Sequence, residues 1–153
     1  MSLREKIKDL MKEAMKSGQQ KSVSTYRMVM AALKDRDIDA RTRSMPDGIP
    51  DEEILQMLQS MIKQRRDSID MYKKGGREDL ATQEQDEINL IEDLLPAQMD
   101  EAQIQITAAA VISDIGAAGM KDMGKVMAVL KERHPGEMDF GKASQIIKTL
   151  LAG

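Results

Sequence analysis

The chain has no cysteine, no tryptophan, one phenylalanine, two tyrosines and a single histidine among 153 residues. Without cysteine there can be no disulfide, no zinc ribbon and no thiol nucleophile. Without aromatic rings the core must be filled by Leu, Ile, Met and Ala, and methionine is correspondingly frequent at 14 residues. These side chains pack readily between helices. Only four prolines interrupt the chain, and β-branched or aromatic runs of the kind strands favour are scarce. The composition therefore predicts an all-α protein.

No run of about 18 apolar residues occurs, and the amino-terminal stretch "MSLREKIKDLMKEAMK" is charged throughout, without the apolar core of a signal segment. The expectation is a cytoplasmic chain that makes no membrane contact. Net charge is −3, but its distribution is uneven. Residues 1–43 carry 11 Lys and Arg against 6 Asp and Glu, and residues 44–95 carry 6 against 13. Residues 120–153 return to a basic balance, 6 against 4. Two basic segments flank an acidic middle.

Apolar periodicity places four longer helices before Pro96 and three shorter ones after it. This gives two helical subdomains, residues 1–95 and 96–153. The first helix opens on a capping box, Ser2 with Glu5, presents Leu3, Ile7, Leu10, Met11 and Ala14 on one face, and stops at Gly18. The second starts near Ser22 or Ser24, turns Val23, Tyr26, Met30 and Leu33 inward, and ends near Arg41. The loop "TRSMPDGIP" (42–50) follows. The third begins with Asp51, Glu52 and Glu53, suited to the positive end of a helix dipole, and runs to Gly75-Gly76. The fourth spans about 77–94 and buries Leu80, Ile88, Ile91 and Leu95. In the tail, Asp100 with Gln103 forms a second capping box, and Asp139 is the N-cap of the last helix. Met57, Met61, Met123 and Met127 are all expected to be buried.

"GMKDMGKV" (119–126) matches most of the nucleotide-binding pattern G-x-x-x-x-G-K-[ST]. That loop requires a strand before the first Gly and a hydroxyl after the Lys. Here a helix precedes Gly119, Val126 replaces the hydroxyl, and Asp122 brings a negative charge where phosphates would sit. The segment reads as a helix start, with Gly124 permitting close approach of another backbone. No other catalytic constellation is present. The lone His134 lies before Pro135 at a helix end, where it serves as a cap, and the acids Asp51/Glu52/Glu53 and Glu84/Asp86/Glu87 read as solvated faces. The expected sets of catalytic, cofactor-binding and metal-binding residues are therefore empty.

Two basic constellations remain. One is "KQRR", with Lys63, Arg65 and Arg66 on the third helix. The other comprises Lys121, Lys125, Lys131, Arg133, Lys142 and Lys148 in the tail, with Lys121 and Lys125 one helical turn apart. These nine residues are the candidate phosphate contacts. Aromatics are too few to favour stacking on single-stranded bases, so the expectation is that a nucleic-acid partner would be recognised by folded shape.

"DMGKVM" (122–127) and "DFGKASQIIKTLL" (139–151) resemble the carboxy-terminal part of the GatB/YqeY family. "TYRMVMAALKDRDID" (25–39) and residues 51–99 resemble free-standing YqeY proteins, so the likeness covers nearly the whole chain. Small departures are Gly75 where Ala is common, Leu95 before Pro96 without a nearby Tyr, and Asp37 for a frequent Glu. The resemblance implies a bacterial, cytoplasmic, two-subdomain helical protein. Its tail would be similar to that of the B subunit of the tRNA-dependent amidotransferase, a glutamine-dependent carbon–nitrogen ligase. In that enzyme the tail contacts tRNA while catalysis sits elsewhere. The implied role is a monomeric tRNA-binding or accessory module. Its partners would be tRNA and components of the amidotransferase or an aminoacyl-tRNA synthetase. The competing reading is a helical protein–protein adaptor for a translation-related enzyme.

Overall fold

A computed structural model describes residues 2–153, and among them there is no strand. The chain divides into two compact units, Met1–Leu95 and Pro96–Gly153. The first contains α1 (Leu3–Lys16), α2 (Gln20–Ala40), a 3-10 turn (Arg41–Arg43), α3 (Asp51–Lys74) and α4 (Glu78–Glu92). The second contains α5 (Glu101–Ile115), a 3-10 turn (Met120–Asp122), α6 (Met123–Arg133) and α7 (Phe140–Ala152).

In the first unit α3 and α4 form the most extensive pair, with α2 against both and α1 on α2. Ile7, Val29, Ile54, Met57, Leu58, Ile88 and Ile91 are fully buried between them. Each such aliphatic side chain contributes on the order of 1.5–3 kcal/mol. The helix ends follow from local sequence. Ser2 and Glu5 close a capping box on α1. Three acids open α3 and Lys73 and Lys74 close it, both favourable to the helix dipole. The chain then reverses through Gly76 at φ 73°, where the Arg77 N–H donates to the Tyr72 carbonyl at 2.8 Å.

The second unit has its own core of Ile104, Ala108, Val111, Val126, Leu130, Met138, Ala143 and Ile147. Its beginning at Pro96 has a hydrogen-bonding cause. Met99 N–H donates to the Glu137 carbonyl at 2.8 Å, and the Gln98 side-chain amide donates to the Gly136 carbonyl at 2.7 Å. The segment leading into α5 is thus sewn to the α6–α7 turn. Asp100 and Gln103 cap α5, and Asp139 caps α7 by accepting from the Gly141 and Lys142 N–H groups.

Several expectations are corrected. α2 starts at Gln20, because the Gln19 carbonyl already accepts from the Val23 N–H although its side chain makes no cap. Leu94, not Leu95, is the buried residue that ends the first core. Met57 and Met61 are buried, whereas Met123 and Met127 are only partly covered, since α6 is short and lies at the edge of a small core. Gly124 is exposed with nothing within 4 Å of where a Cβ would stand, so it permits no close approach.

The close approach occurs instead at Gly48. Arg4 on α1 donates through both terminal nitrogens to the Asp37 carboxylate on α2, Nη2 reaching Oδ1 at 2.6 Å. The same Nη2 donates to the Ile49 carbonyl at 2.9 Å, and Asp37 Oδ1 accepts from the Ile49 N–H at 2.9 Å. Gly48 covers this pair at φ 94°, and an added Cβ would lie 2.5 Å from both Arg4 Nη2 and Asp37 Oδ1.

Gly48→Ala should therefore cost roughly 2–3 kcal/mol, from a left-handed backbone plus a clash with a packed ion pair. A urea midpoint unchanged from the parent would show that the loop is not seated on that pair. The hydrogen bonds from Arg4 hold the Asp37 carboxyl below its ordinary value. A lowered folded value means stability is present above the unfolded value and lost as pH falls through the folded one. Asp37→Asn should accordingly flatten the dependence of stability on pH below about pH 4. An undiminished slope in acid would exclude Asp37 as its source.

Candidate nucleic-acid interface

The tail lysines are held at three places. Lys121 lies in the 3-10 turn and Lys125 in the first turn of α6, both exposed, and between them sits Asp122. The Asp122 carboxylate does not cap α6. It reaches back and accepts from the Ala118 N–H at 2.9 Å, closing the turn on itself. That hydrogen bond, with the charges of Lys121 and Lys125, lowers the Asp122 carboxyl below its ordinary value. The two ammonium groups thus share one fixed negative charge and leave a net positive turn.

Lys131, at the end of α6, stands over the Phe140 ring at 5.8 Å from its centroid, a cation–π arrangement that ties α6 to the start of α7. Lys142 lines a shallow groove of about 200 Å³ with Glu101, Gln145, Ile146 and Thr149. Lys148 is exposed on a different flank of α7, since six residues rotate the helix by about 240°. The five lysines are brought to one unit but not to a single continuous face.

The arginines behave differently. Arg133 pairs with Asp114 on α5 at 2.7 Å. Arg66 pairs with Glu92 at 3.1 Å on the surface of the first unit. Arg65 is drawn inward, its side chain only 13% exposed. Its Nε donates to Glu87 Oε2 at 2.9 Å, its Nη1 to the Met61 carbonyl at 3.2 Å, and its Nη2 reaches the Met28 sulfur at 3.7 Å. Glu84 stands 3.9 Å from Nε, and burial followed by the neighbouring Glu87 charge raises its carboxyl above the ordinary range. Of the "KQRR" group, Lys63 alone is exposed with no carboxylate within ion-pair distance.

Glu84 and Glu87 are therefore not a solvated face but the counter-charges of Arg65. The signal is in the spacing. Arg65 lies one turn from both Met61 and Ile69, and Glu84 and Glu87 lie one turn before Ile88 and Ile91, so all three fall on buried faces. His134 is the C-cap of α6, and its Nδ1 lies 3.0 Å from Glu137 Oε2. Among the described residues no cluster of three His, Cys, Asp or Glu could hold a metal ion. Gly119 precedes a 3-10 turn rather than following a strand, which removes the phosphate-loop geometry.

Among the described residues, every ion pair is made by an arginine or by His134, and no lysine has a carboxylate within 4 Å. The free positive charge of the second unit is thus lysine charge. Apart from Lys131, which stands over the Phe140 ring, it is exposed, salt-sensitive and able to meet an anion without breaking an existing contact.

No helix is long and apolar enough to cross a membrane among the described residues. Similar proteins include fungal proteins named "Altered inheritance of mitochondria protein 41, mitochondrial". The one from Vanderwaltozyma polyspora is 32% identical over 124 residues, covering 76% of this chain and 64% of its own. The one from Eremothecium gossypii is 34% identical over 91 residues, covering 60% and 48%, respectively. The one from Kluyveromyces lactis is 29% identical over 105 residues, covering 69% and 55%. The chain thus spans about half to two-thirds of the length of these curated relatives. Their names place them in mitochondria and lend no support to the bacterial origin or the cytoplasmic location expected from the sequence. The family described as Yqey-like protein matches residues 4–151, and over that near-complete span the chain belongs to the YqeY-like family.

Proposed function

We propose that the chain is a tRNA-binding or amidotransferase-accessory module that positions a partner and carries out no chemistry of its own. The supporting observation is the set of exposed, unpaired lysines in the second unit, led by Lys121 and Lys125 around the Asp122-closed turn. An ammonium on a flexible stem suits phosphate oxygens as a point charge and does not require the planar fit that an arginine fork imposes. Lys142 and Lys148 extend this charge along α7, and Lys131 adds to it at the α6–α7 turn. Arg65, Arg66 and Arg133 would have to abandon carboxylates to join, so in this reading they serve the fold. Lys63, in the other unit, is a separate free charge.

A helical adaptor for another protein is the second reading, and the outward side of α5 favours it. From Ala102 to Ser113 this helix has no charged residue, and Ile106 is 72% exposed. Solvated helices ordinarily carry charges on that side.

Replacing Lys121, Lys125 and Lys142 together by Glu should weaken tRNA binding. The slope of log affinity against log salt should fall by roughly one for each phosphate no longer neutralised. The parent fold should be retained, with stability within about 0.5 kcal/mol. Lys8→Glu and Lys12→Glu on α1 are the controls. If control and tail variants bind tRNA equally, or the parent binds none at low salt, the tail is not a nucleic-acid surface and the adaptor reading replaces it. The purified chain should neither hydrolyse ATP nor release ammonia from glutamine. Turnover that persists through purification and vanishes in a point variant of this chain would overturn the non-catalytic assignment.

A further inference from the structure

The Arg65 guanidinium is the most enclosed charge in the first unit, and one of its nitrogens is poorly served. Nε has a carboxylate and Nη1 a backbone carbonyl, but Nη2 faces only the thioether sulfur of Met28 at 3.7 Å. Sulfur is a weak acceptor, and at this exposed edge of the guanidinium a charged donor gains little from it. Met28 itself is 36% exposed on α2, and its contact with Nη2 lies at the surface, where a small molecule has access.

We infer that Met28 is a reversible oxidation site for hydroperoxides, with Arg65 as the receptor for the sulfoxide it forms. The sulfur attacks one peroxide oxygen, the O–O bond breaks and an S–O bond forms. The sulfur loses two electrons, and the departing oxygen takes a proton and leaves as water or alcohol. An oxygen about 1.5 Å from sulfur and off the S···N line comes to roughly 3 Å from Nη2, an ordinary N–H···O distance. The weak contact is thereby replaced by a charge-assisted hydrogen bond. Oxidation commonly disrupts a methionine's packing. Here it strengthens the tie between α2 and the Arg65–Glu87 pair that joins α3 to α4.

The other well-exposed methionines have no such receptor. Met71, Met15 and Met120 are 73%, 54% and 45% exposed, and no hydrogen bond or ion pair engages their side chains. They accept oxygen without structural consequence. At Met28 a guanidinium donor stands on one side of the sulfur, so one sulfoxide epimer is favoured there. Methionine sulfoxide reductases act on one epimer each, which makes the product's handedness measurable.

The test uses the full chain with Met15, Met71 and Met120 replaced by Leu, treated with limiting hydrogen peroxide until peptide mass mapping shows oxygen on Met28. The expected result is a melting temperature within about 2 °C of the untreated chain, on the scale set for a protein of this size. Sulfoxide at Met28 should be removed by one epimer-specific reductase and not by the other. In an Arg65→Lys background, where the ammonium engages Glu87 and leaves the sulfur without a donor, oxidation should lower the melting temperature by several degrees more. Met28→Gln, which offers a fixed side-chain carbonyl to Nη2, should be at least as stable as Met28→Leu. Three results would each overturn the assignment: equal removal by both reductases, a destabilisation on oxidation that is the same with and without the Arg65→Lys change, or a Gln variant clearly less stable than the Leu variant. Should Arg65→Lys fail to fold, the epimer measurement and the Gln–Leu comparison decide alone.

Discussion

Arg4 holds three segments of the first unit at once. Its guanidinium binds the Asp37 carboxylate on α2 and the Ile49 carbonyl in the loop, while it is itself fixed in the first turn of α1. The neighbouring Leu3 N–H donates to Asp51 at the start of α3. A chain with almost no aromatic residues cannot rely on a few large rings to fix how its helices meet. Medium-sized aliphatic side chains fill space well but tolerate sliding. A directional, bidentate contact at the open end of the bundle supplies the registration that such a core lacks. Asp37 can make the contact only because Gly48 leaves room for it, so one glycine and one ion pair form a single requirement.

Arg65 fulfils the same need at the interface of α3 and α4. Two carboxylates and a backbone carbonyl surround it, with Met28 completing the enclosure from α2. A half-buried pair of this kind contributes less to net stability than its short distances suggest, because both charges give up water. What it does contribute is selectivity. Glu84 and Glu87 both meet the guanidinium in the register that α4 takes against α3.

The helices are legible in the sequence because their signals are local. Capping boxes at Ser2 and Asp100, the glycine stops after α1, α3 and α5, and the i, i+4 spacing of Ile and Leu are properties of a few adjacent residues. The charged contacts are not legible in the same way. Arg4 and Asp37 are 33 positions apart, and nothing in either neighbourhood names the other. Arg65 reads as a surface charge because it stands within a basic run, although its spacing from Met61 and Ile69 places it on the buried face. Gly124 misleads in the opposite sense: the motif around it suggests close packing, but helix α6 leaves it open to solvent. Composition says that a charge exists, while register within a helix says where it points, and the second is the better guide.

The division of labour between the two basic side chains follows from the same physics. A guanidinium offers several donors in a fixed plane and is weakly hydrated, so it can be drawn into contacts with carboxylates and carbonyls at little desolvation cost. Arg4, Arg65 and Arg133 are used in this way. A lysine ammonium is strongly hydrated and stays in water, its stem covering apolar surface. In the second unit this leaves Lys121, Lys125, Lys142 and Lys148 extended and uncommitted, on a body whose arginine is already engaged by Asp114. The uncommitted positive charge of that unit is therefore lysine charge spread over more than one flank. The side chains that give the fold its register and those left free for a partner are thus different residues, and the second set can change without disturbing the first.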